Sequence, residues 1–415
     1  MSENCSTPVR RKDVVVTGLG LVTPAGIGTE ATWRGLLTGR PTAAADPVLA
    51  GMPVDFSCRV PEFDGRGPLG HRLARRLDRG AQLALVAVRE ALTDAALAPA
   101  DWDPTRVAVI LGVGSNSLES YPEAFRLLAE GRVGRVSPFM ITRSVPGMVA
   151  GEVALEIGAR GPSLAVSTAC ASGTSALGIA RDLLRGGSCD IAIAGGAEST
   201  YGAIYAATFG QMRALSSRSH DPAGASRPFD RDRDGFVLAE GAGVLVLERA
   251  EHAVARRVAL RARLAGFGSS SDAHHFTAPH PQGRGAADAM NTALRDAGLG
   301  PHEVGHVNAH GTSTPLNDLA ESRALRRVFG TPPAVTALKG TLGHAIGGSG
   351  GIEAACSVLS LERQTIPPTA NLDVQDPDID LDVVTKNPRA LRLSSVMTNS
   401  FGFGGQNAVA VFTRL

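Results

Sequence analysis

One cysteine stands at a predicted strand-to-helix turn, in the motif STACASG at 167–173. The apolar run 163–166 precedes it, and apolar residues follow at helical spacing over 175–184. We therefore expect Cys170 at the positive end of a helix dipole, which lowers a thiol pKa from about 8.5 into the range of roughly 3.5 to 7.5. Its small neighbours would let a substrate approach the backbone closely. The pattern indicates a nucleophile elbow built on sulfur, although a small buried core cysteine fits the local sequence equally well.

Two further segments carry a histidine. His310 follows an apolar run in NAHGTSTP at 308–315, where three hydroxyls offer hydrogen bonds to a polar ligand arm. His344 lies five residues after Lys339 in KGTLGHAIGGSG at 339–350. That glycine-rich stretch lacks the GxxxxGK(S/T) spacing of a phosphate-binding loop, so we expect its glycines to let the next helix pack tightly. For His310 taken alone, a hydrogen-bonded turn histidine is the better interpretation.

A fourth segment, NSFGFGG at 399–405, places two aromatic residues among glycines. Because glycines leave the backbone free, Phe403 would swing, and exposed N–H groups would form an oxyanion hole. A turn between two strands is the alternative interpretation. No one of these segments identifies a reaction by itself. Together, one cysteine, two histidines, a lysine and a mobile aromatic loop suit carbon–carbon bond formation through a cysteine thioester.

The segments that must position these residues alternate between strand-like and helix-like patterns. Short apolar runs ending near glycine occupy 14–19, 107–112, 191–196 and 244–247. Helical periodicity lies between them, and the alternation predicts an α/β fold with largely parallel sheets. The segment 216–234 carries charges of alternating sign and is expected to be an ordered surface excursion. After a weak boundary near 248–264 the alternation of strand-like and helix-like patterns recurs, which suggests a long-period duplication of the chain.

Composition excludes several classes of protein. The 415 residues include 41 basic and 40 acidic side chains, a balance that argues against a nucleic-acid-binding surface over the whole chain. No apolar run approaches the roughly 18 residues that span a bilayer, and the polar start at 1–13 lacks the apolar stretch of a signal peptide. The five cysteines show no CxxC spacing, so neither a disulfide framework nor a zinc site is indicated. We expect a cytoplasmic protein.

Five motifs jointly point to one family. They are TACASG, RPFDRDRDGFVLAEGAG, NAHGTSTPLND, KGTLGHAIGGSG and NSFGFGG. With them the chain resembles the β-ketoacyl-acyl carrier protein synthases, condensing enzymes of the thiolase superfamily, from Val14 to Phe412. The resemblance implies an α/β, thiolase-like duplicated fold in five αβαβα layers, usually dimeric. It divides the chain into an N-terminal half with the nucleophile, 1–258, and a C-terminal half, 259–415.

The resemblance also implies roles for single residues. Cys170 would accept the acyl group, with its N–H and that of Phe403 forming the oxyanion hole and Phe403 gating entry. The histidines His310 and His344 would polarise the malonyl thioester, supported by Lys339. Substrate-binding positions would be Thr312, Thr314, Ser115, Met140, Gly402 and Gly404, the two threonines holding the phosphopantetheine arm. Contacts with the acyl carrier protein would be Arg72, Arg75, Arg76 and Arg213. A structural monovalent cation would lie among Asn308, Glu353 and Asn399, with no catalytic metal and no other cofactor.

Four positions depart from the family pattern: Leu342, Gln406, Ser115 and Met140. Ser115 and Met140 replace larger groups at the pocket floor and the dimer interface, which predicts a longer or differently shaped acyl pocket. We therefore favour a ketosynthase of type II polyketide biosynthesis, acting as a homodimer or with a homologous chain-length-factor subunit. An elongating synthase of type II fatty-acid synthesis, and a non-catalytic pocket-shaping subunit, are the alternatives. A degradative thiolase is disfavoured because no second cysteine lies near the C-terminus.

Overall fold

The computed structural model describes residues 12–115 and 118–415, so most of the polar start at 1–13 lies outside the described residues. The strands of the N-terminal half are β1 (Val14–Thr23), β2 (Gly26–Ile27), β3 (Ala44–Ala45), β4 (Phe56–Ser57), β5 (Val107–Gly112), β6 (Ser163–Val166), β7 (Ile191–Ser199) and β8 (Glu240–Arg249). Its helices are α1 (Thr29–Leu37), α2 (Arg66–Leu69), α3 (His71–Arg76), α4 (Arg79–Asp94), α5 (Tyr121–Ala129), α6 (Met140–Ser144), α7 (Gly147–Ile157), α8 (Ser172–Arg185), α9 (Ala203–Gln211) and α10 (Ala250–Arg256). The four predicted apolar strands are found as β1, β5, β7 and β8.

The C-terminal half contains fewer elements. Its strands are β9 (Ala262–Ser271), β10 (His306–Asn308), β11 (Ala334–Thr336), β12 (Thr365–Ile366), β13 (Arg389–Ala390), β14 (Ser395–Gly402) and β15 (Gln406–Thr413). Its helices are α11 (Arg284–Ala297), α12 (Pro315–Phe329), α13 (Lys339–Leu342) and α14 (Ser349–Arg363). The sequence sets where α12 begins, because the Thr314 hydroxyl accepts from the backbone N–H of Asn317 and Pro315 takes the first helical position.

The strands of the two halves follow one topology. Neighbouring strands run β6-β5-β7-β8-β1 in the first half and β11-β10-β14-β15-β9 in the second. Numbered by chain order within each half, both read 3-2-4-5-1, with the same parallel and antiparallel pairings. The halves meet where β1 pairs with β9 over two residue pairs. The predicted duplication is therefore confirmed.

The helices complete five layers around these strands. α4 packs on the outer face of β1, β7 and β8, and α11 on the outer face of β9 and β15. α8 and α14 lie between the two half-sheets, since α8 contacts β5, β7 and β15 and α14 contacts β7, β8 and β14. α14 is buried from Ser349 to Leu361. Its glycines permit this packing, because a Cβ on Gly351 would lie 2.2 Å from the Gly243 carbonyl oxygen.

Two expectations about the fold were wrong. The sheet is not largely parallel: the central pairings from β7 through β8, β1, β9 and β15 to β14 are antiparallel, and only the outer ones are parallel. Helices cover both faces, so the strands read as continuous apolar runs whatever their direction. The segment 216–234 is ordered but not confined to the surface, since Asp230 is buried in ion pairing with Arg227.

No helix in the described part of the chain is both long and apolar enough to cross a membrane.

Candidate active site

Cys170 lies in the turn that joins β6 to α8. Ala169, just before it, has a left-handed φ of 50°, and α8 begins two residues after the cysteine, at Ser172. The Ser172 hydroxyl holds the turn, since it accepts from the Thr168 N–H at 2.9 Å and donates to the Ala169 carbonyl at 2.6 Å. The strain of the elbow therefore falls on a small residue, and the thiol is presented at the wall of a cavity.

The protonation expected for this thiol was wrong. Burial raises the pKa of Cys170 to about 11, and the charge of Lys339 and the N–H groups of Phe403 and of Cys170 itself oppose the rise only in part. The helix dipole favours the thiolate, but the loss of solvent on burial disfavours it more strongly. Cys170 therefore rests as a neutral thiol. The two N–H groups that point at its sulfur are those predicted for the oxyanion hole.

Two histidines stand beside the thiol. One ring nitrogen of His310, one of His344 and Sγ of Cys170 lie within 4.8 Å of one another. The two rings are nearly perpendicular, with centroids 5.4 Å apart. The duplicated topology brings the groups together, because Cys170 precedes α8 and His344 precedes α14, and these helices occupy equivalent places in the two halves. His310 comes from the end of β10.

Hydrogen bonds fix which ring nitrogen carries the proton in each histidine. The Lys339 ammonium donates to the His310 carbonyl at 2.7 Å and lies 3.3 Å from Nδ1 of the same residue. An ammonium only donates, so Nδ1 accepts and the His310 proton sits on Nε2. Ser349 Oγ accepts from the Ala345 N–H, and its own hydrogen has no other acceptor among the described residues than Nδ1 of His344, 3.0 Å away, so the hydroxyl donates to that nitrogen. The proton of His344 is thereby also placed on Nε2.

Both imidazoles are neutral. Burial and the positive charge of Lys339 lower the pKa of His310 and of His344 well below the usual value of 6.5. Within the described residues, Nε2 of His344 is buried and has no hydrogen-bond partner. The site therefore offers Nε2–H donors beside the sulfur, the arrangement that stabilises a developing oxyanion.

Lys339 is held by a buried ion pair. Its ammonium lies 2.5 Å from Oε1 of Glu353, and both side chains are almost fully buried. Burial raises the pKa of Glu353 to about 7, against the lowering effect of the Lys339 charge. The buried Glu353 carboxylate is the counterion that keeps the Lys339 ammonium beside His310.

The three residues expected to hold a cation fit such an ion. Oδ1 of Asn308, Oδ1 of Asn399 and Oε2 of Glu353 are buried and have no hydrogen-bond partner among the described residues. The amide nitrogens of the two asparagines are engaged, Asn308 with Thr398 Oγ1 and Asn399 with Glu321 Oε1, both at 3.1 Å. Carboxylate and amide oxygens are the ligands that hard cations prefer.

A cavity of about 600 Å³ opens beside Cys170. It brings together these predicted site residues: Cys170, His310, His344, Phe403, Thr312, Thr314, Ser115, Gly402 and Arg213. Thr312 and Thr314 are hydrogen-bonded to each other at 2.9 Å. Gly402 must be glycine, because a Cβ there would lie 2.7 Å from the Thr168 carbonyl oxygen.

Several predicted residues do not line this cavity. Gly404 is turned away, with a left-handed φ of 78° and its N–H donating to the Phe276 carbonyl at 2.8 Å, so it supports the loop rather than the ligand. Met140 begins α6 and lies off the cavity of its own chain. The three arginines Arg72, Arg75 and Arg76 lie on α3, where Arg76 pairs with Glu152. Lys339 also does not line the cavity, and its ammonium contacts the ring and the carbonyl of His310 instead.

Tyr205 meets Ser115 in the wall of the cavity. The hydroxyl of Tyr205 lies 3.0 Å from Ser115 Oγ, and both residues line the cavity. Sequence reasoning missed Tyr205, and with it Phe209 and the tautomer-fixing Ser349. The spacing of Tyr205, Phe209 and Met212 places them on one helical face, and all three line the cavity. Their helical spacing in the sequence could therefore have indicated that these residues form one wall of a site.

Family models match both halves of the chain. "Beta-ketoacyl synthase, N-terminal domain" covers residues 11–253, and "Beta-ketoacyl synthase, C-terminal domain" covers 261–373. The chain belongs to the beta-ketoacyl synthase family. This ketosynthase is 41% identical to the 3-oxoacyl-[acyl-carrier-protein] synthase 2 of Synechocystis sp. over 413 residues, 98% of this chain and 99% of the relative. It is an acyltransferase, as predicted.

Solved ketosynthases have the same fold. The ishigamide ketosynthase/chain length factor is 34% identical with a TM-score of 0.92, over 98% of this ketosynthase and all of that chain. A type II polyketide synthase acyl-carrier protein in complex with its ketosynthase bound to the hexaketide gives 31% identity and a TM-score of 0.90, over 97% and 99% of the two chains. The thiolase-like fold predicted from the motifs is thereby confirmed.

Proposed function

We propose that this chain catalyses the decarboxylative Claisen condensation of a Cys170-bound acyl group with malonyl-acyl carrier protein, giving a 3-oxoacyl-acyl carrier protein. The observation that carries the proposal is the cluster of the Cys170 sulfur with one nitrogen each of His310 and His344, within 4.8 Å of one another at the wall of a cavity. A nucleophilic sulfur suits acyl transfer, and adjacent neutral donors suit enolate formation.

Acyl loading comes first. The Cys170 sulfur attacks the acyl thioester carbonyl, the new sulfur–carbon bond forms, and the bond to the phosphopantetheine sulfur breaks. The thiol proton of Cys170 ends on that leaving sulfur, which keeps the charge balanced for a thiol whose pKa is about 11. The N–H groups of Cys170 and Phe403 stabilise the tetrahedral oxyanion.

Decarboxylation and condensation follow. The Nε2–H groups of His310 and His344 donate to the malonyl thioester oxygen, so that the electrons of the breaking bond to carbon dioxide pass into an enolate. The enolate carbon attacks the acyl–Cys170 carbonyl, a carbon–carbon bond forms, and the cysteine sulfur leaves. One proton taken from water restores the thiol. Lys339 keeps His310 in the donating tautomer throughout.

We further propose that the substrate arm and a cation bind at the predicted positions. Thr312 and Thr314 line the cavity and would hydrogen-bond the phosphopantetheine arm of the carrier protein. Asn308, Glu353 and Asn399 would hold a monovalent cation, which supplies positive charge beside the buried Glu353 and takes no part in the reaction. The chain would need no other cofactor.

The acyl carrier protein and a second ketosynthase-like chain are the proposed partners. Arg213, exposed at the cavity, and the α3 arginines Arg72, Arg75 and Arg76 would meet the acidic carrier protein. β6 ends the sheet, and large apolar side chains near it are exposed: Leu164 on β6, Leu155 on α7 and Ile141 on α6. Such a patch favours a dimer, either of this chain alone or with a chain-length-factor subunit.

For the pathway we propose type II polyketide biosynthesis in the cytoplasm, on the four departures from the usual family residues. The alternative is type II fatty-acid elongation, favoured by the 41% identity to a 3-oxoacyl-[acyl-carrier-protein] synthase 2. We also propose the division of the chain at 258/259, which the repeated strand order supports.

The test is the intact-protein mass after incubation with acyl-carrier-protein thioesters, with Cys170→Ala as control. We expect a mass gain in the wild type only, discharged into a 3-oxoacyl product when malonyl-acyl carrier protein is added. Acylation of the lone protein would favour the fatty-acid setting, whereas acylation only with a homologous partner would favour the polyketide setting. A protein unmodified in both cases would be the non-catalytic subunit, and the proposal would fail.

A further inference from the structure

The inner wall of the cavity beside Cys170 is formed by one face of α9. Tyr205 and Phe209 lie one turn apart on that face. Phe209 packs against Phe403 and Phe236, with ring centroids 6.2 Å and 5.4 Å away. Phe236 in turn meets His344 at 5.3 Å. Ring contacts therefore connect His344 through Phe236 to Phe209, and Tyr205 lies on the adjacent turn of α9, where it is only 5% exposed.

Ser115 closes the wall opposite Tyr205 and is firmly anchored. Glu198 accepts from the Ser115 N–H at 3.1 Å and from the Gly114 N–H at 2.7 Å, and it lies 3.1 Å from Ser115 Oγ. Gly114 is packed tightly as well, since a Cβ there would lie 2.6 Å from Ile346. Hydrogen bonds and packing therefore hold Gly114 and Ser115 in place, and the Tyr205 hydroxyl meets Ser115 from α9.

We propose that Tyr205, latched by its hydroxyl to Ser115, closes the acyl end of the cavity and limits the ketosynthase to acyl chains short enough to end at its ring. The inference rests on the function proposed above, and it names the substrate class as short or medium acyl thioesters. A longer chain must break the hydrogen bond between Tyr205 and Ser115 and displace the ring. Tyr205 is thus a specificity-determining residue, and it takes no part in bond making.

The length preference of the cavity follows from burial of methylene groups. Each additional buried CH₂ favours binding by roughly fourfold. We expect the rate of Cys170 acylation to rise with chain length until the chain reaches Tyr205 and to fall beyond it. Removing the Tyr205 ring leaves its volume empty, so the rate of Cys170 acylation should keep rising for longer acyl chains.

The experiment measures acylation of Cys170 by intact mass, using saturated acyl-pantetheine thioesters from four to sixteen carbons. The variants are Tyr205→Ala, Tyr205→Phe and, as matched control, Ile204→Ala, one residue away on the same helix with its side chain exposed. We expect Tyr205→Ala to move the limit outward by at least about two carbons, roughly 16-fold in the ratio of long-chain to short-chain rates. Tyr205→Phe keeps the ring but loses the latch, which should raise that ratio by roughly two- to tenfold. Ile204→Ala should match the wild type.

Two results would overturn the inference: a Tyr205→Ala protein that folds and keeps the wild-type limit, or an unchanged ratio in Tyr205→Phe. Should Tyr205→Ala fail to fold, the Tyr205→Phe ratio decides the matter, because that change preserves the ring. A wild-type protein that accepts no chain at all would refute the proposed function. Acylation with the same length profile in every variant would refute only the role of Tyr205.

Discussion

Replacing Ser349 by alanine isolates the role of the His344 tautomer. The Ser349 hydroxyl donates to Nδ1 of His344 and is fixed by the Ala345 N–H. Without it, the Nε2–H tautomer loses its preference, and part of the population carries the proton on Nδ1. That fraction cannot donate to the malonyl thioester oxygen, so decarboxylation slows.

The size of the effect follows from the bond that is lost. A neutral buried hydrogen bond contributes about 0.5–1.5 kcal/mol, and about 1.4 kcal/mol corresponds to tenfold in rate. Losing that energy brings the two tautomers to about equal populations and leaves about half of the molecules with the donor, so we expect Ser349→Ala to reduce malonyl decarboxylation by up to roughly twofold. Removing the donor altogether in His344→Ala should cost on the order of 100- to 1,000-fold. The loss should appear in kcat rather than KM, because the donor acts mainly on the transition state.

The assay follows release of carbon dioxide from malonyl-acyl carrier protein and, separately, acylation of Cys170. Acylation relies on the N–H groups of Cys170 and Phe403, so it should change little. Ser357→Ala is the control: it removes a buried hydroxyl from the same helix, one that donates to the Glu353 carbonyl at 2.8 Å. Wild-type decarboxylation by Ser349→Ala would refute the tautomer argument. So would an equal loss in both half-reactions matched by Ser357→Ala, since that would be purely structural.

Three further predictions test the site. Because burial raises the pKa of Cys170 to about 11, its thiolate fraction increases as the pH rises toward that value. Alkylation of Cys170 by iodoacetamide should therefore accelerate roughly 100-fold from pH 8 to pH 10, against about fourfold for an ordinary thiol. An alkylation rate that reaches its plateau by pH 8 would contradict the raised pKa. Gly402→Ala should slow Cys170 acylation on the order of 100-fold in single-turnover mass measurements, because its Cβ would lie 3.1 Å from the Cys170 nitrogen; normal acylation would exclude an oxyanion hole there. Arg213→Glu should raise KM for acyl-carrier-protein substrates but not for acyl-pantetheine, with the difference shrinking at high salt; equal effects on both would place Arg213 outside the carrier-protein contact.

Local sequence predicted the groups and the elements that present them. The apolar runs at 107–112 and 163–166 are β5 and β6 with those bounds. The motif around Cys170 does stand between a strand and a helix. Burial pattern and turn residues are local properties, so they can be read along the chain. The motifs also identified the family, because their residue types are set by the reaction.

Contacts between distant segments decided the rest. The antiparallel centre of the sheet could not be predicted, because strands covered on both faces read alike in either direction. The contact between Tyr205 and Ser115 joins two segments that the sequence keeps far apart. The small residue at Ser115 therefore predicted a longer or differently shaped pocket, but not the tyrosine that meets it there.

The sequence by itself determined that a cysteine, two histidines and a lysine were available, and which strands and helices would carry them. Only the tertiary structure decided their chemical state. It buried Cys170, which reversed the expected direction of its pKa, and it set Lys339 and Ser349 against the histidines, which placed both protons on Nε2. The physical reason is that desolvation and hydrogen-bond partners depend on everything packed around a group. The residues on either side of it in the chain are only a small part of those surroundings.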